Sequence, residues 1–176
     1  MPGPHSTRPG DVVKALNGKM VDITNTDAEG RLILADALTY AERLGATHLV
    51  DVATLTGAVA RTLGELVAGA FGTPQPFVDD VFAASERAGE RFWQLPLIDD
   101  YRADMESWYG DLVNFSRNND GGLVKSALFI SEFVTNSRRN SALLTSPPSL
   151  FREKFTRSPY QLSMSARYSS TSGSCQ

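Results

Sequence analysis

The segment Asn25-Thr26-Asp27-Ala28-Glu29-Gly30-Arg31 gathers two carboxylates, a glycine and an arginine within a few positions. Asp27 and Glu29 are two residues apart, a spacing that turns both side chains to one face of an extended stretch. Two hard oxygen donors converging in this way suit divalent cations, and a bridging carboxylate suits a two-metal site. Gly30 admits close backbone approach, and Arg31 adds a fixed cation able to clamp an anion at two points. Read alone, the Asp-x-Glu-x-Arg pattern also fits a structural loop whose acids cap the following helix and pair with Arg31.

The elements around this segment would hold it between a strand and a helix, where α/β sheets place their ligand sites. Upstream, VVKALNGKMVDI (residues 12–23) carries two β-rich stretches around Asn17-Gly18, which predicts an antiparallel hairpin. Downstream, Leu34, Ala37, Leu38, Ala41 and Leu44 fall on one helical stripe that ends at Gly45. Residues 48–55 have the length of a buried strand. Thr56-Gly57 then turn the chain into a short helical stretch, and 65–72 return as a strand. Helices are predicted over 78–92, 98–109 and 123–134, the last with an apolar face of Leu123, Ala127, Leu128, Ile130 and Val134. Strands alternating with helices, plus a hairpin, give an α/β fold with a mixed sheet flanked by helices.

Composition bounds the class. The chain has 176 residues, 41% hydrophobic, with net charge −3, which suits one domain and excludes a wholly disordered or collagen-like chain. No run of about 18 apolar residues exists, which excludes a membrane helix, and the start MPGPHSTRPGD lacks the apolar region of a secretory signal. The lone Cys175 cannot form an internal disulfide, which points to a reducing, cytoplasmic compartment. Mild acidity argues against nucleic acid as the main partner. No GxGxxG phosphate loop follows a strand, which argues against a generic small-molecule domain of that kind.

Charge divides the chain unevenly. Residues 1–135 hold 11 Lys/Arg against 19 Asp/Glu, whereas 136–176 hold 6 Lys/Arg, only Glu153 as an acid, and eleven serines. The first part is read as an ordered domain and 136–176 as a disordered basic tail, since sparse apolar content cannot offset chain entropy. Other candidates carry ordinary roles: His48 opens a strand, His5 is solvated, Trp93 and Trp108 pack in a core or interface, and Asp99, Asp100, Asp104 and Glu106 form a solvated helix face.

NTDAEGRLILADAL closely resembles the signature of the leucyl aminopeptidase family, the dinuclear metallo-exopeptidases often called cytosol aminopeptidases. RPGDVV and NGK upstream, DVATLTGA, and the GG–ALF–EFV helix extend the similarity over roughly residues 8–134. The resemblance implies that Asp27 and Glu29 are metal ligands, with the Glu29 carboxylate bridging two divalent ions, manganese or zinc. It implies that Arg31 is the catalytic arginine, holding a bicarbonate that assists proton transfer. Leu55 and Gly57 would lie near the peptide substrate, with Asn25 and Thr54 lining its side-chain pocket. A cytoplasmic hexamer acting on peptides follows from the same resemblance, with no nucleic acid or membrane partner.

The departures matter equally. The family's further metal ligands, two aspartates and a lysine, and its second catalytic lysine precede the signature. None of that motif stands in the 24 residues before Asn25; Lys14 and Lys19 belong to the hairpin. The catalytic domain is therefore read as incomplete and the isolated chain as impaired. The alternative is a non-catalytic remnant, inert or associated with full-length subunits. From Thr135 onward the resemblance ends where composition changes, which reads as a shifted reading frame, altered splicing or a lineage-specific tail. Missing strands would leave the helix face of Leu123, Leu128 and Ile130 exposed.

Overall fold

A computed structural model describes residues 3–134 and 140–145. The expected hairpin forms from Val12–Lys14 (β1) and Met20–Asp22 (β2), antiparallel, with Lys14 opposite Met20. Its connection is longer than a two-residue turn. Gly18 adopts φ 97° there, and the Lys19 N–H donates to Asn17 Oδ1 at 3.1 Å, the side-chain bond that suits asparagine to turns. Leu112–Val113 (β6) adds in parallel to the far side of β2, completing a three-stranded mixed sheet.

A 3-10 turn, Thr26–Ala28, leads from β2 into α1, Glu29–Arg43. The helix buries Ala35, Leu38 and Thr39 on one side and ends in the turn around Gly45, φ 90°. His48–Ala53 (β3) follows, then a short helix Ala58–Leu63 (α2), Ala68–Thr73 (β4), Gln75–Arg87 (α3) and Phe92–Gln94 (β5). The helix predicted over 98–109 is instead a 3-10 segment, Asp99–Met105. Gly122–Ser131 forms α4. The second sheet runs β3-β7-β4-β5, where β7 is Asn140–Thr145. Mixed sheets flanked by helices thus bear out the α/β reading, with the strands divided between two sheets.

Two expectations are corrected. Leu123, Leu128 and Ile130 are not exposed: they are 5%, 0% and 3% accessible. α4 is apolar nearly all round, and α1, α2 and the 3-10 segment pack against it from this same chain. A helix apolar on every side belongs in an interior. The second correction concerns the tail. Residues 140–145, placed by composition in a disordered segment, form β7, parallel to β3 and antiparallel to β4. Ala142, Leu143 and Leu144 are buried, and a short continuous apolar run is what a strand between two others requires. The rest of the expected tail lies outside the described residues.

Gly72 reports on that placement. A Cβ there would meet Ser141 O at 2.7 Å, Val78 Cγ2 at 2.8 Å and the Ala142 Cα at 3.2 Å. Two of those atoms are backbone and cannot swing away, so Gly72→Ala should destabilise the fold by about 1–3 kcal/mol. Urea unfolding measures the loss, and an unchanged midpoint would show that β7 does not lie against β4.

Trp93 and Trp108 are 64% and 93% accessible, so neither packs in a core. Asp99, Asp100, Asp104 and Glu106 are exposed as expected, although Asp104 also pairs with the buried Lys125 Nζ at 2.5 Å. Among the described residues no helix is long and apolar enough to cross a membrane.

Candidate active site

The Asn25–Arg31 segment occupies the junction expected for it, leaving the end of β2 and entering α1. Its internal geometry differs from the extended stretch anticipated. Asp27 lies within the 3-10 turn and Glu29 is the first residue of α1. Residues two apart on a helical backbone do not face each other, so alternation does not bring the two carboxylates to one side. Both side chains are exposed. The capping group is Asn25, whose Oδ1 accepts the Asp27 N–H at 2.9 Å, leaving the acids free of that task. Gly30 has open space where a Cβ would stand.

Arg31 turns the other way, into the interior, and is 5% accessible. Its Nη1 donates to Asn114 O at 2.9 Å and Nη2 to Ser126 Oγ at 3.0 Å. The guanidinium lies over the rings of Phe115 and Phe129, 5.6 and 5.7 Å from their centroids. No described ion pair joins it to Asp27 or Glu29, against the pairing considered from sequence. Burial without an acid pushes its pKa down to about 10. The Nε–H is buried with no partner. A buried cation whose Nε–H is unpartnered fits a small anion.

A residue singled out by no spacing rule ties the segment down. Asn114, just beyond β6, is 1% accessible. Its Oδ1 accepts the N–H groups of Thr24 and Asn25 at 2.9 and 3.2 Å, and its Nδ2 donates to Asn25 O at 2.6 Å. Thr24 Oγ1 adds a bond to Phe115 O at 2.5 Å. Asparagine's appetite for backbone groups was the only signal available, and sequence does not say which backbone. Beside Thr24 a cavity of about 410 Å³ opens, lined among others by Asp22, Tyr109 and Arg117. A separate small cavity of about 30 Å³, next to Asp51 and Ile130, is lined by none of the candidate residues.

The second candidate segment follows a strand of the other sheet. Thr54 is exposed and Leu55 half-buried just after β3, with Leu55 packed on the core. Gly57 is the N-cap of α2, and Thr56 Oγ1 accepts the Ala58 N–H at 3.3 Å. Both α1 and α2 lean on α4, which relates the two segments through a shared helix. No described hydrogen bond or ion pair joins them directly.

A family model described as the cytosol aminopeptidase family, catalytic domain, matches residues 1–142. This chain belongs to the cytosol aminopeptidase family. The match runs past residue 135, where composition changes, into β7. A probable cytosol aminopeptidase of Solibacter usitatus is 53% identical over 134 residues, covering 76% of this chain and 28% of the relative. The cytosol aminopeptidase of Dictyostelium discoideum is 48% identical over 136 residues, covering 77% and 26%. A solved structure, a lysine-to-glutamate mutant of tomato leucine aminopeptidase, superposes with TM-score 0.81 at 40% identity, covering 85% of this chain and 29% of that one. The chain thus spans little more than a quarter of the family members it matches.

A dinuclear centre can be tested against the residues present. Among the described residues no group of three or more His, Cys, Asp or Glu side chains is placed to hold a metal ion. Each divalent ion takes four to eight ligands. Asp27 and Glu29 supply two carboxylates on an exposed turn, too few to close the shell of one ion, let alone two. The described residues therefore do not fit a metal pair by themselves.

Proposed function

We propose that this chain carries the carboxylate turn and the buried arginine of a leucine-type aminopeptidase, a hydrolase that releases N-terminal amino acids from peptides. The observation that supports this most is the NTDAEGR segment standing at a strand–turn–helix junction inside a family match over residues 1–142. In this reading Asp27 and Glu29 contribute oxygen donors to divalent ions, manganese or zinc, whose other ligands come from elsewhere. Arg31 is the catalytic arginine, its free Nε–H the donor available to a bicarbonate. Asn25, Thr54, Leu55 and Gly57 contact the peptide and its first side chain. The reading extends to a homo-oligomeric, hexameric enzyme of the cytoplasm, with peptides rather than nucleic acid or membranes as partners. The names of the bacterial and Dictyostelium relatives support the cytosol, and a tomato relative, 47% identical over 127 residues, is chloroplastic.

The 176-residue polypeptide on its own is impaired in this reading, because two exposed carboxylates cannot organise a metal-bound water. Purified and supplied with Mn²⁺ or Zn²⁺, it should show no measurable hydrolysis of an unblocked leucine anilide. Robust turnover abolished by a chelator would overturn the impairment.

A further inference from the structure

We propose that two adjoining cavities around Asp22, Tyr109 and Arg117 form a site for a free α-amino acid with an aliphatic side chain. The first, of about 410 Å³, is bordered by Pro9, Val12 and Ile23 as well as by these three residues. The second, of about 200 Å³, takes in the polar side chains of Ser107, Ser116 and Asn118. Asp22, Tyr109 and Arg117 line both, so the two spaces meet at one acid, one ring and one cation. Asp22 ends β2 and is 5% accessible. Its Oδ2 accepts the Ser107 hydroxyl at 3.0 Å, and Ser107 Oγ accepts the N–H groups of Tyr109 and Gly110. The loop that carries Tyr109 is thereby fixed against the carboxylate.

Neither charge has a counterpart. Among the described ion pairs none includes Asp22 or Arg117, and the two do not pair with each other. A carboxylate taken out of water ordinarily finds a cation, so Asp22 offers a place to an ammonium group. Arg117 offers its planar fork to a carboxylate. Opposite charges that face one space without touching suit a small ligand carrying both, and an α-amino acid is such a ligand. Glu106 and Asp104 also border the second cavity, Asp104 already paired with Lys125. They favour the ammonium there and leave Arg117 as the seat of the carboxylate. Pro9, Val12 and Ile23 then give an aliphatic side chain its apolar wall. Such an amino acid is the product of the hydrolysis proposed above, yet Asp27, Glu29 and Arg31 take no part in the site. Its binding stands apart from turnover and from that reading.

The test titrates the full 176-residue chain, labelled for NMR, with L-leucine. The amides of Tyr109 and Gly110 should shift with a dissociation constant of about 1 mM, ordinary for so small a ligand. Leucinamide lacks the carboxylate and N-acetyl-leucine the ammonium; each should bind about tenfold more weakly, the loss of one charged contact. Leucylglycine, whose termini lie farther apart, should be weakened likewise. Arg117→Ala should weaken leucine about tenfold and leave leucinamide unchanged, since leucinamide brings that arginine no carboxylate. Arg61→Ala is the control: Arg61 is exposed on α2 and lines neither cavity, and its loss should change nothing. Asp22→Asn keeps an acceptor for Ser107 and removes the charge, so it should weaken leucine while sparing N-acetyl-leucine. Should that variant unfold, the analogues and Arg117→Ala decide the matter alone. Unshifted Tyr109 and Gly110 amides, equal binding of the analogues, or equal losses in Arg61→Ala would overturn the proposal. Shifts confined to residues 54–57 or 27–31 would overturn it too, by placing leucine in the candidate active site.

Discussion

Leu128→Asp is expected to abolish cooperative folding of the chain. Leu128 is 0% accessible, and Phe129, Ala127 and Ile130 around it are at most 3% accessible. Removing a buried leucine side chain alone costs about 2–5 kcal/mol. A carboxylate placed there adds an effective penalty of several kcal/mol, since no described cation pairs with this position. The sum approaches the whole stability of an ordinary domain, about 5–15 kcal/mol. Ile33→Asp is the matched comparison: Ile33 lies on α1 but is 68% accessible, and its substitution should change stability by no more than about 0.5 kcal/mol. Thermal melting followed by circular dichroism separates them. A cooperative Leu128→Asp transition close to the unsubstituted one would show that α4 does not occupy the interior.

Asp51→Val should stabilise the fold, and the gain should depend on pH. Asp51 sits on β3 opposite Leu143 of β7, and one of its carboxylate oxygens is buried without a partner. Beside it is the small cavity lined mostly by apolar side chains, including Leu38, Phe71 and Ile130. Desolvation raises the Asp51 pKa, with the Val52 backbone bond pulling the other way. A carboxyl whose folded pKa is raised binds more protons in the folded state than in the unfolded one. The folded chain therefore loses stability as pH rises from the ordinary carboxylate range through the raised folded value. Above that window the penalty is fully present; below the ordinary value it is absent. Valine removes the charge and suits a strand. At neutral pH the variant should gain about 1 kcal/mol, the lower end for an unsatisfied buried polar group because Asp51 is only partly enclosed. Urea unfolding at neutral and acidic pH reads the difference. A gap that stays constant on acidification would show that Asp51 is not held at a desolvated site.

Much of the architecture was legible because it is local. The Asn17-Gly18 pair announces its hairpin through positive φ, and the Leu34–Ala41 stripe announces α1 through a period of 3.6. The placement of NTDAEGR between β2 and α1 follows from these two neighbours, each detectable within a dozen residues. The short helix after Thr56-Gly57 and the strand before it are of the same kind.

What only the tertiary structure decided depends on contacts between distant parts of the chain. The extended stretch expected at Asp27 and Glu29 does not form because the helix begins earlier than the apolar stripe shows, so the backbone is already helical at both residues. Arg31 pointed toward an acid in sequence but lies in the core, because Asn114 and Ser126, some eighty to ninety-five residues later, offer it acceptors there. Composition placed 140–145 outside the domain, yet the strand lies between β3 and β4 with Ala142 to Leu144 buried there. Sequence determined which residues could do chemistry and which local elements flank them, since helix period and turn chemistry act over a few residues. Which groups those residues face was settled by packing, since burial and hydrogen bonding are satisfied by whatever the fold brings near.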